Sequence, residues 1–148
     1  MNQTVRRGTY VLLLDLPFSS DIEIGSLGVL HFEPGRYCYV GSAMGGLDQR
    51  LSRHLRRNKT IRWHIDRLTV AADRAEAWES YPDPIPECVL ARTAVECGML
   101  PVHPGFGCSD CRCMTHLFIV PEGTDRGLVS RCGLRRFVLT TDFVNSND

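Results

Sequence analysis

The chain has almost no lysine, no net charge and no long apolar run. Lys59 is the single lysine among 17 basic residues, and 17 acidic residues balance them. A zero net charge excludes a protein that is basic over its whole surface. No apolar stretch is long enough to span a bilayer, and the first residues lack the apolar region of a signal peptide. We therefore expect a cytoplasmic protein with no membrane partner.

The sequence also has no internal repeat and no low-complexity segment. Its 148 residues are 43% hydrophobic and 23% charged, which is typical of an ordinary globular protein. A chain of this length can bury a core of its own. We predict a single domain over residues 1–148.

Strands and helices are predicted in a mixed order. Short apolar or alternating runs between turn residues predict strands at residues 8–16, 27–32, 36–40, the end of 70–81, and 115–120. Apolar residues at helical spacing predict helices at 47–57, 61–68 and 87–97. Loops are expected at 17–25 and 99–113, and residues 129–139 are weakly patterned. The short connections between the first three strands predict an antiparallel meander.

Residues 35–55 combine a strand, a glycine-rich turn and a basic helix. Gly41, Gly45 and Gly46 let the backbone turn sharply or approach a ligand closely. The helix that follows has an apolar stripe at Leu47, Leu51 and Leu55. Its remaining surface carries Arg50, Arg53, His54 and Arg57. Because helix N-termini and arginine forks both attract anions, this stretch predicts a phosphate site.

Basic residues concentrate in one short segment. Residues 50–67 hold six arginines and the lysine, and Asp66 is the one acid among them. A local basic face fits nucleic acid or phosphate. The predicted nucleic-acid-binding residues are Arg53, Arg57, Lys59 and Arg62. On charge alone, a solvated helix face without a partner is an equal alternative.

Seven cysteines form one cluster and four scattered positions. Cys38, Cys88, Cys97 and Cys132 are scattered, and we interpret them as small buried apolar residues. Cys108, Cys111, Cys113 and His116 give the spacing CxxCxCxxH, a full set of ligands for tetrahedral Zn²⁺. One alternative is a loop with buried thiols in which Ser109 and Asp110 cap a turn. Another is a polar cluster near an active groove, with Cys111 as a nucleophile beside His116.

Several motifs together resemble the GIY-YIG nuclease superfamily. GTY at 8–10 and YVG at 39–41 precede a helix with an arginine, and a later helix begins with a glutamate. The run YVGSA, the WHID at 63–66 and the SDCxCxTHLF at 109–118 more specifically resemble a small prokaryotic family of unknown function. Members of that family are sometimes fused to DNA-repair glycosylase domains.

The resemblance implies an α+β fold, with a three-stranded antiparallel core plus added strands, flanked by helices. It implies phosphodiester hydrolysis with one Mg²⁺ or Mn²⁺ ion, most often on DNA, with DNA repair as the setting and a DNA-repair protein as a partner. The matching catalytic residues are Tyr10, Tyr39, Arg50, His54 and Glu87, with Glu87 as the metal ligand. Two features depart from the pattern, namely an insertion at 19–35 that adds a strand and the cysteine-rich run.

Each of these residues also has a structural interpretation. Tyr10 and Tyr39 are core aromatics by default, and Arg50 and His54 are surface residues. The helix dipole alone explains Glu87 at a helix N-terminus. His64 and Asp66 are interpreted as capping or pairing residues, although the resemblance keeps them as site candidates. Two rival functions remain: a non-catalytic nucleic-acid-binding module and a zinc-stabilised interaction domain.

Overall fold

Two antiparallel sheets and four α-helices make up the described part of this computed structural model, residues 5–108 and 112–138. The strands are β1 (Gly8–Leu16), β2 (Ser20–Glu23), β3 (Val29–Phe32), β4 (Gly35–Ala43), β5 (Arg74–Ser80), β6 (Leu100–Pro101), β7 (Leu117–Ile119) and β8 (Arg135–Arg136). The helices are α1 (Leu47–Leu55), α2 (His64–Ala71), α3 (Glu87–Glu96) and α4 (Thr124–Cys132), with a 3₁₀ turn at Gly25–Leu27. The predicted α+β class is confirmed.

The main sheet has six strands in the order β6-β7-β4-β1-β5-β8. Each neighbouring pair is antiparallel. Strand β1 lies between β4 and β5, so that Leu12 is paired with Tyr39 on one side and Ala77 on the other. A small antiparallel sheet flanked by helices was the predicted arrangement, and these three central strands form its core.

Strand β1 is apolar along its length because both of its faces are covered. Tyr10, Leu12 and Leu14 belong to one buried cluster, whereas Val11 and Leu13 belong to another. Side chains alternate between the faces of a strand, so a run without polar alternation is typical of a strand buried on both sides.

The two faces of the sheet are covered by different helices. Leu47 and Leu51 of α1 share a cluster with Ile65 and Leu68 of α2. On the opposite face, α3 and α4 contribute Leu90, Ala94 and Leu128. The helix pairs are thereby separated, and the residues at the ends of β1 and β4 lie near α1 on one side and α3 on the other.

The predicted meander is wrong. Strand β3 pairs with β2 in a separate two-stranded sheet, and β2 lies in the segment predicted to be a loop. Strand β3 cannot pair with β1, because β4 pairs with one edge of β1 from Gly8 to Leu16 and β5 pairs with the other edge. The inserted segment therefore forms its own hairpin.

Other boundaries also differ from those predicted. Helix α2 begins at His64 rather than residue 61, and α4 lies in a segment for which the pattern predicted no helix. Helix α4 buries only Leu128, so it has little apolar periodicity to detect. Among the residues that are described, no helix has the length and apolar character needed to cross a membrane.

Candidate functional site

The site begins where Tyr10 of β1 faces Gly41 of β4. The two residues are cross-strand partners, and a Cβ on Gly41 would lie 2.5 Å from Tyr10 Oη. Gly41 was predicted to serve a turn or a ligand approach. It lies within a strand instead, and its missing side chain makes room for the Tyr10 hydroxyl.

Tyr10 forms a buried hydrogen-bonded pair with His54. The distance from Tyr10 Oη to His54 Nε2 is 2.8 Å, and the residues are 1% and 2% exposed. His54 lies on the buried face of α1 with Leu47 and Leu51, although it was predicted on the polar surface. The apolar stripe predicted that Leu55 would be the third buried residue of this helix. The third buried residue is His54 instead.

Both members of this pair are neutral at pH 7. Burial raises the pKa of Tyr10 to about 12, and the nearby Arg50 only partly offsets this effect. Burial lowers the pKa of His54 to about 3, and the charge of Lys59 acts in the same direction. His54 Nδ1 has no hydrogen-bond partner among the described residues. Because a buried unpaired acceptor is tolerated better than a buried unpaired N–H, we assign Nε2–H as the donor to Tyr10 Oη.

This buried imidazole predicts acid lability. Between about pH 6.5 and 3 the unfolded chain binds a proton at His54 that the folded chain does not, so the free energy of unfolding falls as the pH falls. From about pH 7 to pH 5 the expected loss from His54 is about 2 kcal/mol. Urea unfolding at both pH values would measure it, and His54→Gln should lack this component.

Exposed His31 titrates in the opposite direction, because Asp21 and Glu33 raise its pKa. Its contribution is fully present below the unfolded pKa of about 6.5, is lost as the pH rises through the raised folded pKa, and is shared by the wild type and the variant. Equal pH dependence in the two proteins would show that the His54 pKa is not depressed in the folded state.

Arg50 is fixed by two contacts. Its Nη1 donates to the carbonyl oxygen of Ser42 at 2.9 Å, and its guanidinium lies 4.4 Å from the centre of the Trp63 ring. Arg53 also contacts this ring at 4.4 Å. Cation–π contacts of this kind hold a guanidinium in place without using its N–H donors. Trp63, which the sequence interpretation did not select, therefore orients the site.

Arg53 and Asp66 form a bidentate ion pair with both N···O distances at 2.8 Å. Burial opposes ionisation of Asp66, but hydrogen bonds from Arg53 and from the Trp63 and Arg62 N–H groups outweigh it, so its pKa is lowered. Asp66 thereby caps the start of α2, in agreement with its structural interpretation. Arg53 is largely committed to this pair.

A basic groove opens beside Arg50. It has a volume of about 670 Å³, and none of the described residues that line it is acidic. The groove-lining residues are Gly45, Gly46, Gln49, Arg50, Arg53, Arg56, Lys59, Thr60, Arg62 and Trp63. Arg53, Lys59 and Arg62 were predicted here, whereas Arg56 was missed.

Arg57 and Lys59, like Arg53, were predicted to contact nucleic acid but have partners within the chain. Arg57 does not line the groove, and its guanidinium donates to the carbonyl oxygen of Asp73 at 2.8 Å. Lys59 Nζ donates to His54 O and Thr69 Oγ1, and burial lowers its pKa to about 8. Since α1 ends at Leu55, the helical spacing used for Arg57 no longer applies.

Glu87 lies at the first position of α3, directly after Pro86. Its Oε2 is 3.0 Å from His116 Nδ1, and its side chain is 30% exposed. Hydrogen bonds from His116 and Ser42 and the charge of Arg50 outweigh partial burial and lower its pKa. A single ionised, part-exposed carboxylate fits a hard cation such as Mg²⁺ or Mn²⁺, which keeps most of its water ligands.

Tyr39 lies next to Tyr10, with 6.4 Å between the ring centres. Burial raises its pKa, as does the neighbouring Tyr10. A Cβ on Gly107 would lie 2.7 Å from Tyr39 Cε1, and the Gly107 N–H donates to His64 Nδ1. His64 therefore supports the loop against Tyr39, which is a structural role.

Two members of the predicted zinc set, Cys113 and His116, lie close together, and Cys88 joins them. The Sγ atoms of Cys88 and Cys113 and a ring nitrogen of His116 lie within 4.8 Å of one another. Cys108 donates instead to the carbonyl oxygens of Phe106 and Cys113. Cys111, like Ser109 and Asp110, lies outside the described residues. Cys88 is exposed, whereas it was predicted to be a small buried residue. Its position next to Glu87 at the start of α3 is the sequence feature that could have indicated this.

The fold and site define an α+β domain in which a buried Tyr–His pair, an arginine and a glutamate adjoin a basic groove. The chain belongs to the family described as domain of unknown function DUF123, whose model matches residues 9–133. No curated protein and no solved structure matches the chain.

Proposed function

We propose that this protein is a GIY-YIG-type, metal-dependent endonuclease that hydrolyses phosphodiester bonds in nucleic acid, most often DNA. The supporting observation is the convergence of five residues: Tyr10, Tyr39, Arg50, His54 and Glu87. Ser42 adjoins two of them, because its carbonyl oxygen accepts from Arg50 and its side chain helps to lower the pKa of Glu87. These residues come from two strands and two helices, and they meet beside the basic groove.

The groove provides the electrostatic part of the proposal. Its cations would follow the phosphate backbone, and such contacts position nucleic acid without reading its sequence. Arg50 lies between the groove and Ser42, where its planar fork could hold two oxygens of the scissile phosphate. A lysine offers a single charged point and cannot hold both oxygens in that way.

Glu87 would hold the cation. When bound, such an ion neutralises charge on the phosphate and lowers the pKa of its water ligands. His116 lies against one side of the Glu87 carboxylate, and the pKa of Glu87 is lowered. Glu87 is therefore ionised and ready to bind a cation at neutral pH.

Tyr10 and His54 handle the proton. With His54 Nε2–H donating to Tyr10 Oη, the Tyr10 O–H is available to hold the attacking water. If Tyr10 first loses its proton to solvent, the resulting phenolate would accept a proton from the attacking water, and the His54 donor and the Arg50 charge would stabilise that phenolate. His54 is buried and hydrogen-bonds to Tyr10, so it acts through Tyr10 and is a positioning residue.

A nucleic-acid-binding module without catalysis is the second candidate. The basic groove favours this candidate, because nucleic acid could bind there without the Tyr–His pair or Glu87. DNA affinity that falls steeply with salt, combined with no cleavage of any substrate, would support this candidate. A DNA-repair protein partner remains a prediction that comes from the resemblance.

The test is a cleavage assay on single-stranded, duplex, flap and branched DNA in Mg²⁺, Mn²⁺ or chelator. The wild type is expected to cut at least one substrate with metal and none with chelator. Arg50→Lys is expected to lower the cleavage rate about 100-fold, since it removes the fork while keeping the charge.

Arg56→Lys is the matched control, because Arg56 lines the same groove but is exposed and distant in sequence from Ser42. It should cut within about tenfold of the wild type, because it alters a phosphate contact only. Equal losses in both variants would mean that Arg50 has no special place in the reaction. Cleavage unaffected by chelator would argue against a metal-dependent nuclease.

A further inference from the structure

A group of nitrogen and sulfur side-chain atoms lies next to Glu87 and shares no residue with the basic groove. Cys88 is the second residue of α3, and Cys113 and His116 precede β7. Their ligand atoms lie within 4.8 Å of one another. We infer that Cys88, Cys113 and His116 bind a Zn²⁺ ion. This inference does not depend on the proposed nuclease activity.

The spacing is close to what zinc requires. Zn–S bonds of about 2.3 Å and Zn–N bonds of about 2.0 Å place tetrahedral ligand atoms about 3.3–3.8 Å apart. The observed limit of 4.8 Å exceeds this by about 1 Å, a difference that small side-chain rotations can close. Three protein ligands leave a fourth position for water or another ligand.

His116 is buried beside the Glu87 carboxylate. It is 2% exposed, and its Nδ1 is 3.0 Å from Glu87 Oε2. A metal bound through Nε2 would leave Nδ1–H donating to the Glu87 carboxylate. A carboxylate in that place fixes the tautomer and the ring orientation of a histidine ligand.

Two arginines lie beside the thiols, and the charges of the proposed ligand set balance those of a divalent cation. Arg92 and Arg112 line the same cavity as Cys88 and Cys113, a cavity of about 350 Å³. Two thiolates, a neutral imidazole and Zn²⁺ have no net charge together. Thiolate is the form of cysteine that binds metal.

The experiment measures zinc directly. The full chain would be purified without chelator and with any affinity tag removed, and its zinc content determined by elemental mass spectrometry. We expect about one zinc per chain in the wild type and a fall to background in Cys88→Ser and Cys113→Ser. Replacement by Co²⁺ should give thiolate charge-transfer absorption in the wild type that Cys88→Ser lacks.

Cys108→Ser and Cys132→Ser are the matched controls, and both should keep their zinc. Cys108 belongs to the CxxCxCxxH set but not to the group of Cys88, Cys113 and His116, so its serine variant distinguishes the two possible zinc sites. Because Cys88 is exposed, its serine variant should keep the wild-type circular dichroism.

Three outcomes would overturn the inference. The first is a wild type that binds no Zn²⁺ even when titrated under reducing conditions. The second is full zinc content in Cys88→Ser. The third is a Cys88–Cys113 disulfide in freshly purified protein. Cleavage need not be measured in any of these, so a failed zinc site and a failed nuclease are separable.

Discussion

Glu87→Gln is expected to reduce metal-dependent cleavage at least about 1,000-fold, because a cation contributes several kcal/mol to transition-state charge stabilisation. The amide removes the charge that would hold the cation, but its oxygen can still accept the hydrogen bond from His116. Fold and zinc content should therefore remain those of the wild type. The measurement is the initial cleavage rate in Mg²⁺ and in Mn²⁺.

Glu96→Gln is the control for this variant. Glu96 lies at the other end of α3, where it pairs with Arg131 on an exposed surface. It should cleave at the wild-type rate, because its carboxylate is remote from Ser42 and Arg50. If Glu87→Gln retained full activity, Glu87 would have no part in metal binding, and its role would be confined to orienting His116.

Asp66→Asn is expected to lower the free energy of unfolding by about 3–5 kcal/mol, the usual cost of breaking a buried ion pair from one side. Asp66 is fully buried and accepts two N–H groups of Arg53 together with two backbone N–H groups. The amide would turn an NH₂ toward the Arg53 guanidinium and leave that cation without a counter-charge. Urea unfolding at neutral pH, followed by circular dichroism, measures the loss.

Asp48→Asn provides the comparison. Asp48 also pairs with an arginine, Arg6, at 2.6 Å, but its side chain is 68% exposed. The expected loss is below about 1 kcal/mol, because water screens such a pair. Similar losses for Asp48→Asn and Asp66→Asn would mean that burial does not determine the strength of these ion pairs.

The sequence predicts those elements whose pattern depends on local chemistry. Strand β1 was predicted from residue 8 to residue 16 because an apolar run ended by Pro17 has few other structures open to it. Helix α3 was predicted within one residue, because Pro86 and Gly98 mark its ends. The α+β class followed from these elements, whereas the pairing of β2 with β3 did not, since strand partners are chosen by tertiary contacts.

The sequence predicts those site residues that belong to a recognisable motif. It does not predict those whose role depends on whether they are buried in the fold. Tyr10, Arg50 and Glu87 were selected from the resemblance, and the fold brings them together. Burial of His54 could not be foreseen, because the stripe at Leu47, Leu51 and Leu55 assigned it to the surface. Cys88 was missed because its neighbours in space are distant in sequence.

The contact between Gly41 and Tyr10 has an evolutionary consequence. Because a Cβ at position 41 would occupy the space of the Tyr10 hydroxyl, any relative with this backbone can have a side chain at one position or a tyrosine at the other, but not both. The two positions should therefore be inherited as a linked pair. A descendant that gains a side chain at position 41 should soon lose the constraint on Tyr10, and with it the selection that keeps a histidine at position 54.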